Sequence, residues 1–567
     1  MSPGARRAVQ GLLGAAAMIT VVTLLSRVLG LGRFLVLAGT VRAERIGDAY
    51  NAANMLPNIL FEAAAGGALA GAVVPMLAAP LARADKEGVD RIASAALGWT
   101  LLVLVPLGVL LAVCAAPLAA FLGGPDETTV ALIRFFTLVF AVQVPLYGVA
   151  VLLYGVLQAH RRFFWPAFAP VLNSLVVMGA YLGYGALAGG EANDPSALDP
   201  GALEVLAWGT TAGVAAMCLP MLVPVRRLGV RLRPTLRFDG DTGARFRALA
   251  LAGIGSVAAQ QLAVFLILRL ALRYAPGQGE GYTAFVFAQQ VYLLPYAVLV
   301  VPLATSTFPR VAAHAAAAER EAFARLAAVT TRGVLVAAAL GGAAVLAGGP
   351  AVATVFAALA ENPGVADGLA SALVPMAPGV VGLGVLFHVS RCLYALERSR
   401  AAVAANVVGW GVVSLTAVVL VVVVGTGGDR VLGALGTATT VGMTAGAVVA
   451  LLALRRSAGR GALTGLARTS VVALAAAALG AGAGRWVADS VLLLVGDGGW
   501  SATGAAAGGA VLAATVVAAA VALLDRGTVT GVLHAERASV EGPAVPVRAD
   551  APRPADAGDN DLGTRTP

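Results

Sequence analysis

Residues Thr23–Arg33 read T-L-L-S-R-V-L-G-L-G-R, and after a short polar link Asp48–Pro75 reads D-A-Y-N-A-A-N-M-L-P-N-I-L-F-E-A-A-A-G-G-A-L-A-G-A-V-V-P. Both stretches are long and mostly apolar, so both are expected to cross a bilayer. Yet the first carries Arg27 and Arg33, and the second carries Asp48, Asn51, Asn58 and Glu62. A charge at membrane depth costs at least about 2.5–3.5 kcal/mol on insertion scales, so such residues normally face a wet cavity, a partner or a substrate. Two adjacent spans that both carry this cost predict a polar cavity within the membrane.

Positions 48, 51, 55, 58 and 62 follow a 3-4-3-4 spacing, one stripe of a helix interrupted only by Met55. Pro57 breaks the hydrogen-bond ladder in mid-stripe and is expected to kink the helix. The competing readings are that the asparagines join helices and that Asp48 caps a helix start. Arg27 and Arg33 diverge by about 120° on an ideal helix. They share a cavity only if Gly30 or Gly32 permits a bend or the cavity is wide; otherwise one of them snorkels to a headgroup.

The composition agrees with a membrane chain. The 567 residues are 59% hydrophobic and 12% charged, with a mean hydropathy of +0.86, against roughly 25% charged for a soluble domain. The net charge of +9 does not imply nucleic-acid binding, because the arginines sit in short loops between apolar spans. Cys114, Cys218 and Cys392 lie in apolar runs without metal-ligand spacing and read as inert thiols. The four histidines are likewise scattered, and His388 reads as a core residue. Arg134, Arg269, Arg332 and Arg391 read as snorkelling groups near helix ends. No nucleotide-binding, metalloprotease or nucleophile-elbow motif is present, so no enzyme activity and no cofactor are expected.

Apolar segments of about 20 residues or more fall at 9–39, 46–79, 92–122, 129–157, 164–188, 203–225, 246–273, 282–309, 323–347, 367–396, 401–425, 430–454, 465–488 and 502–525. This predicts an all-α polytopic membrane protein with fourteen transmembrane helices. With the N-terminus cytoplasmic, about 23 basic residues fall in inner connections and about five in outer ones, the asymmetry of the positive-inside rule. Both termini are then cytoplasmic. The match of L-Q-A-H-R-R at Leu157–Arg162 to L-Y-A-L-E-R at Leu393–Arg398 points to a parallel repeat of two six-helix lobes. The lobes would span 1–227 and 228–456, followed by a helix pair in 457–525. Residues 526–567 are polar and proline-rich and read as a disordered cytoplasmic tail.

S-R-V-L-G-L-G-R, D-A-Y-N-A-A-N-x-L-P-N-x-L, G-G-A-L-A-G-A-V-V-P and R-R-F-F-W-P-A-F-A-P-V-L-N (Arg161–Asn173) closely resemble the MurJ/MviN family of the MOP exporter superfamily. The resemblance implies a lipid II flippase of peptidoglycan synthesis in the bacterial plasma membrane. It further implies a cationic central cavity, a lipid-tail groove at the last helix pair, and alternating access. Arg27 and Arg33 match the family's first-helix arginines, and Asp48 its second-helix acid. Arginines suit the lipid's pyrophosphate, which they bind bidentately in a low dielectric.

The chain departs from the family pattern at Phe61 and Gln290, which stand where many members carry arginine, and at Gly66-Gly67, where an acid-glycine pair is common. Sodium-site aspartates have no clear counterpart, Asn406 being the nearest polar residue. Substrate binding is therefore expected at Arg27, Arg33, Asp48, Asn51, Asn58, Glu62 and Gln290. The alternatives are a flippase for another polyprenyl-linked glycan, and a non-transporting paralogue that scaffolds cell-wall synthesis proteins.

Overall fold

The computed structural model describes residues 3–63, 67–189, 194–195, 197–237, 242–275 and 281–531; within these, the side chains of 3–20, 24, 67–72 and 242–256 are not described. The side chains of Arg6, Arg7, Arg245 and Arg247, the residues Gly66 and Glu191, and the tail from 532 onward therefore lie outside the description.

The described chain is helical almost throughout, with no strand among the described residues. In order the helices are α1 (Pro3–Thr40), α2 (Arg45–Phe61), α3 (Gly67–Ala82), α4 (Lys86–Val113), α5 (Ala115–Gly123), α6 (Glu127–Phe140) and α7 (Gln143–Ala159). Then come α8 (Phe164–Ala188), α9 (Pro200–Cys218), α10 (Leu222–Arg227), α11 (Thr242–Tyr274), α12 (Tyr282–Pro295) and α13 (Val301–Ala316). The last are α14 (Arg320–Ala360), α15 (Gly364–Met376), α16 (Gly379–Ala395), α17 (Ser399–Val424), α18 (Gly428–Ala458), α19 (Leu466–Val495) and α20 (Gly499–Leu524).

Three helix starts, of α4, α6 and α9, carry aspartate caps. Asp85 accepts from Gly88 N at 2.8 Å, and Asp199 accepts from Gly201 N at 2.7 Å before Pro200 opens α9. Asp126 caps α6. The hydrogen bond from Thr129 Oγ1, together with Arg45 at 3.4 Å, holds its carboxyl below the ordinary range.

By length and composition, 12 helices of the described chain are apolar enough to span a membrane, or 13 when the pair α15–α16, bent by 49°, counts as one. The expected fourteenth would fall at 46–79. That stretch is two helices, and the apolar part of the second, Val73–Ala82, is short. Residues 64–66 lie outside the description, so the count of 12 or 13 leaves this span untested; residues 62–63 continue α2 as a wider helical turn.

Helices α1–α9 pack largely among themselves: α1 on α8, α8 on α9, α2 on α6, α3 and α4 on α7. From α12 onward α18 is the hub for α15, α16 and α17, and α14 supports α19 and α20. The last pair approaches very closely, since a Cβ on Gly484 would meet the Gly509 carbonyl oxygen, the small-residue contact of helices packed in lipid. Large apolar side chains stay on the outside, including Leu479, Leu493, Leu494 and Trp500. Around a water-soluble body such a surface would aggregate; around a membrane span it is the solvated face.

The polar C-terminal stretch begins differently from the expected disordered tail. Residues 526–531 are helical. Thr528 is buried and donates to Asp525 Oδ2 at 2.7 Å, and Thr469 Oγ1 donates to the same oxygen at 2.5 Å.

Candidate functional site

Exposure along α1 falls steadily. Val21, Leu25, Arg27 and Val28 are exposed, Leu31 to Arg33 are half-buried, and Phe34, Leu37 and Ala38 are buried. The N-terminal part of α1 is thus loosely packed, and its end toward Arg42 is packed into the bundle. Where the exposure changes lies a cavity of about 250 Å³, lined by Arg27 and Arg33 of α1, Asn173 and Ser174 of α8, and Gln290 and Leu294 of α12. α1 remains one continuous helix through this region. Both arginines reach one cavity because Gly30, also in its wall, leaves open space between them.

The site is charged but not neutralised. No carboxylate lines it, and neither arginine makes an ion pair among the described residues. The Arg33 guanidinium lies 5.1 Å from the centre of the Phe34 ring, and its Nε is buried without a hydrogen-bond partner. Asn173 Oδ1 is buried without one as well.

The other expected residues lie elsewhere. Asp48 is buried between the two groups of helices, where its Oδ1 accepts from the backbone N–H of Thr283 at 2.7 Å. It caps the start of α12, not of its own helix. The approach requires Gly281, because a Cβ there would collide with the carboxylate. Asn51 Nδ2 donates to Thr283 Oγ1 at 3.1 Å. Nearby, Arg42 pairs with Glu361 at 2.8 Å and Asn362 Nδ2 donates to Glu44 Oε1 at 2.9 Å. Asp48 and Asn51 thus fasten the sealed end.

Asn58 lies beside the Tyr147 hydroxyl, outside the arginine cavity. Glu62 is exposed and continues the helical backbone of α2, its N–H bonded to Asn58 O, outside the arginine cavity. Phe61 is buried with its ring 5.5 Å from that of Tyr147.

The structure adds groups that the sequence reading did not select. Asn173 closes the quoted P-V-L-N motif, and its place in that motif was the available signal. The buried Tyr50 hydroxyl bonds Tyr181 at 2.9 Å and Thr210 at 3.0 Å, tying α2 to α8 and α9 behind the site. Arg391, near the end of α16, has defined neighbours. It stacks 4.4 Å from the Phe387 ring centre, donates to Thr305 Oγ1 at 3.2 Å, and lines a second cavity. His388 is a core residue as expected, with Nε2 2.9 Å from Thr330 Oγ1, although its Nδ1 has no partner.

Residues 37–497 match the family model described as lipid II flippase MurJ. The chain belongs to the lipid II flippase MurJ family. A probable lipid II flippase MurJ of Rhizobium meliloti (strain 1021) is 26% identical over 301 residues, 51% of this chain and 53% of that protein. The lipid II flippase MurJ of Burkholderia cenocepacia is 28% identical over 302 residues, 51% of this chain and 54% of that protein. The chain thus matches about half the length of these curated relatives.

The fold is shared much more widely than the sequence. A lipid II flippase MurJ structure in an inward closed conformation superposes with a TM-score of 0.71 at 15% identity, over 90% of this chain and 100% of that one. An inward-facing multidrug resistance MATE transporter of the MOP superfamily gives 0.63 at 16% identity, over 79% and 99%. Arg27 and Arg33 lie just before the residues that match the family model.

Proposed function

We propose that this chain moves lipid II across the bacterial plasma membrane by alternating access, holding the pyrophosphate between Arg27 and Arg33. The observation that carries this is the unneutralised arginine cavity at the foot of the sealed end. Two guanidinium groups in a low-dielectric wall attract a doubly charged anion strongly, and each can present paired N–H donors to phosphate oxygens. Asn173 and Gln290 supply further polar contacts in the same wall.

The bundle works as two lobes, residues 1–227 and 228–456. The side away from the sealed end faces the cytoplasm, as loop charge requires, so the cavity admits cargo from the side where the lipid is made. Outward opening must break the Asp48–Thr283, Asn51–Thr283, Arg42–Glu361 and Glu44–Asn362 contacts. Pro57 and the wide turn Tyr296–Val300 after Pro295 are where the helices can bend without losing further backbone bonds. The groove for the polyprenyl tail is formed by the pair α19–α20 against α14, within 457–525.

Reconstituted vesicles test the reading. Labelled lipid II should become accessible on the far side, and Arg33→Ala should abolish this at normal protein levels. Undiminished transport by Arg33→Ala would refute it. A second reading, another polyprenyl-linked glycan as cargo, is favoured by Gln290, an uncharged residue in the wall of the arginine cavity. Competition between lipid II and other polyprenyl-linked glycans in the same vesicles separates the two.

A further inference from the structure

Where α13, α16 and α18 end and α14 begins lies a pocket of about 470 Å³, lined by His314, Arg320, Phe323, Leu396, Arg398, Gly459 and a few small residues. We propose that it binds a small phosphate-bearing ligand, clasped between Arg320 and Arg398. The pocket shares no residue with the arginine cavity of α1, and the proposal does not depend on what the protein carries.

Charge is the first observation. No carboxylate lines the pocket, and neither Arg320 nor Arg398 makes an ion pair among the described residues. Glu319, next to Arg320 in the chain, is already engaged, with its Oε2 2.6 Å from His314 Nδ1. Arginines gather at helix ends on one side of any multi-pass protein, but that rule asks only for their number. Here two of them, from separate connections, converge on one concavity.

The backbone adds to the charge. α14 starts at Arg320 and α17 at Ser399, and neither Glu319 nor Arg398 caps its helix with a side-chain hydrogen bond. Both starts bring uncapped N–H groups and the positive end of a helix dipole to this place. α18 brings its carboxyl end, which opposes them, but Arg455 and Arg456 in its last turn offset it. A phosphate group, which takes paired N–H donors from a guanidinium, answers this arrangement.

Size narrows the ligand further. A volume near 470 Å³ is within the range of small-molecule sites, and a bare ion leaves most of it empty. Buried Phe323 and half-buried Leu396 give an apolar floor for an organic part. A phosphate ester, either soluble or the head of a phospholipid, is the class that fits.

The test uses the full chain in nanodiscs of zwitterionic lipid, titrated with glycerol 3-phosphate and read by calorimetry. Arg320→Ala with Arg398→Ala should weaken binding about tenfold or more. Arg226→Ala with Arg227→Ala removes the same charge at the end of α10 and should change binding less than twofold. All four residues are exposed, so their replacement leaves the core intact. A second arm adds phosphatidylglycerol to the discs. A rise in melting temperature that only the Arg320 and Arg398 pair abolishes supports the same site with a lipid as the source of the phosphate. No response to either probe, or equal loss in the two double variants, overturns the proposal.

Discussion

Two cavities that meet at Leu293 are built on opposite principles. One takes Arg27 and Arg33 from a single helix and leaves their charge uncompensated; the other, of about 310 Å³ beside Gln289, Tyr296 and Asn406, is lined by amides, hydroxyls and rings and by no charged side chain. A cationic wall binds any compact anion and discriminates little between cargoes. A neutral polar wall binds weakly but rejects groups that leave its hydrogen bonds unmade.

The largest expected effect tests the charged side of this comparison. Arg33→Ala removes a charged multi-donor group, and lipid pyrophosphate binding should fall about 10- to 100-fold, measured as a dissociation constant in nanodiscs. The next concerns what closes both cavities at the same end. Asp48→Ala uncaps α12 and leaves the Thr283 N–H without its acceptor. The sealed end should then open more often, with Ala288→Cys, buried in the parent chain, labelled about tenfold faster by a membrane-impermeant thiol reagent, equivalent to about 1–2 kcal/mol. An unchanged rate would show that the polar contacts are not what holds the halves together.

A smaller effect sharpens the border between the two cavities. Gln290→Arg adds a positive group to the arginine cavity and should tighten lipid pyrophosphate binding about two- to threefold in the same measurement. The smallest is expected far from both cavities, at Asp525. Burial opposes its charge, but hydrogen bonds from Thr469 and Thr528 and the nearby Arg332 outweigh this and hold its carboxyl below the ordinary 3.8. The stabilisation is therefore present above that value and lost only as pH falls through the folded one. Asp525→Asn should lower the melting temperature by about 1–2 °C at neutral pH and leave transport unchanged.

The class of the chain, the positions of nearly all its spans and the presence of a polar cavity on α1 were legible from the residues alone. Hydropathy and intramembrane charge are properties of a segment, and a bilayer penalises them wherever the segment ends up. Arg27, Arg33 and Gln290 could be named for this reason and by resemblance, and they meet in one wall. Which way a side chain points around its helix depends on the neighbours, which only the packing supplies. Asp48 and Asn51 find Thr283 more than two hundred residues away and serve the seal. Glu62 stays on the helical backbone but outside the arginine cavity, and Phe61 turns to Tyr147. Asn173 and Arg391 were visible in the sequence as a motif end and an intramembrane charge, but that each lines a cavity is decided only by how the helices pack. The sequence by itself determined that charge would be buried in this membrane protein; the tertiary structure decided which charges face a cavity, because burial is set along the chain but partners are set across it.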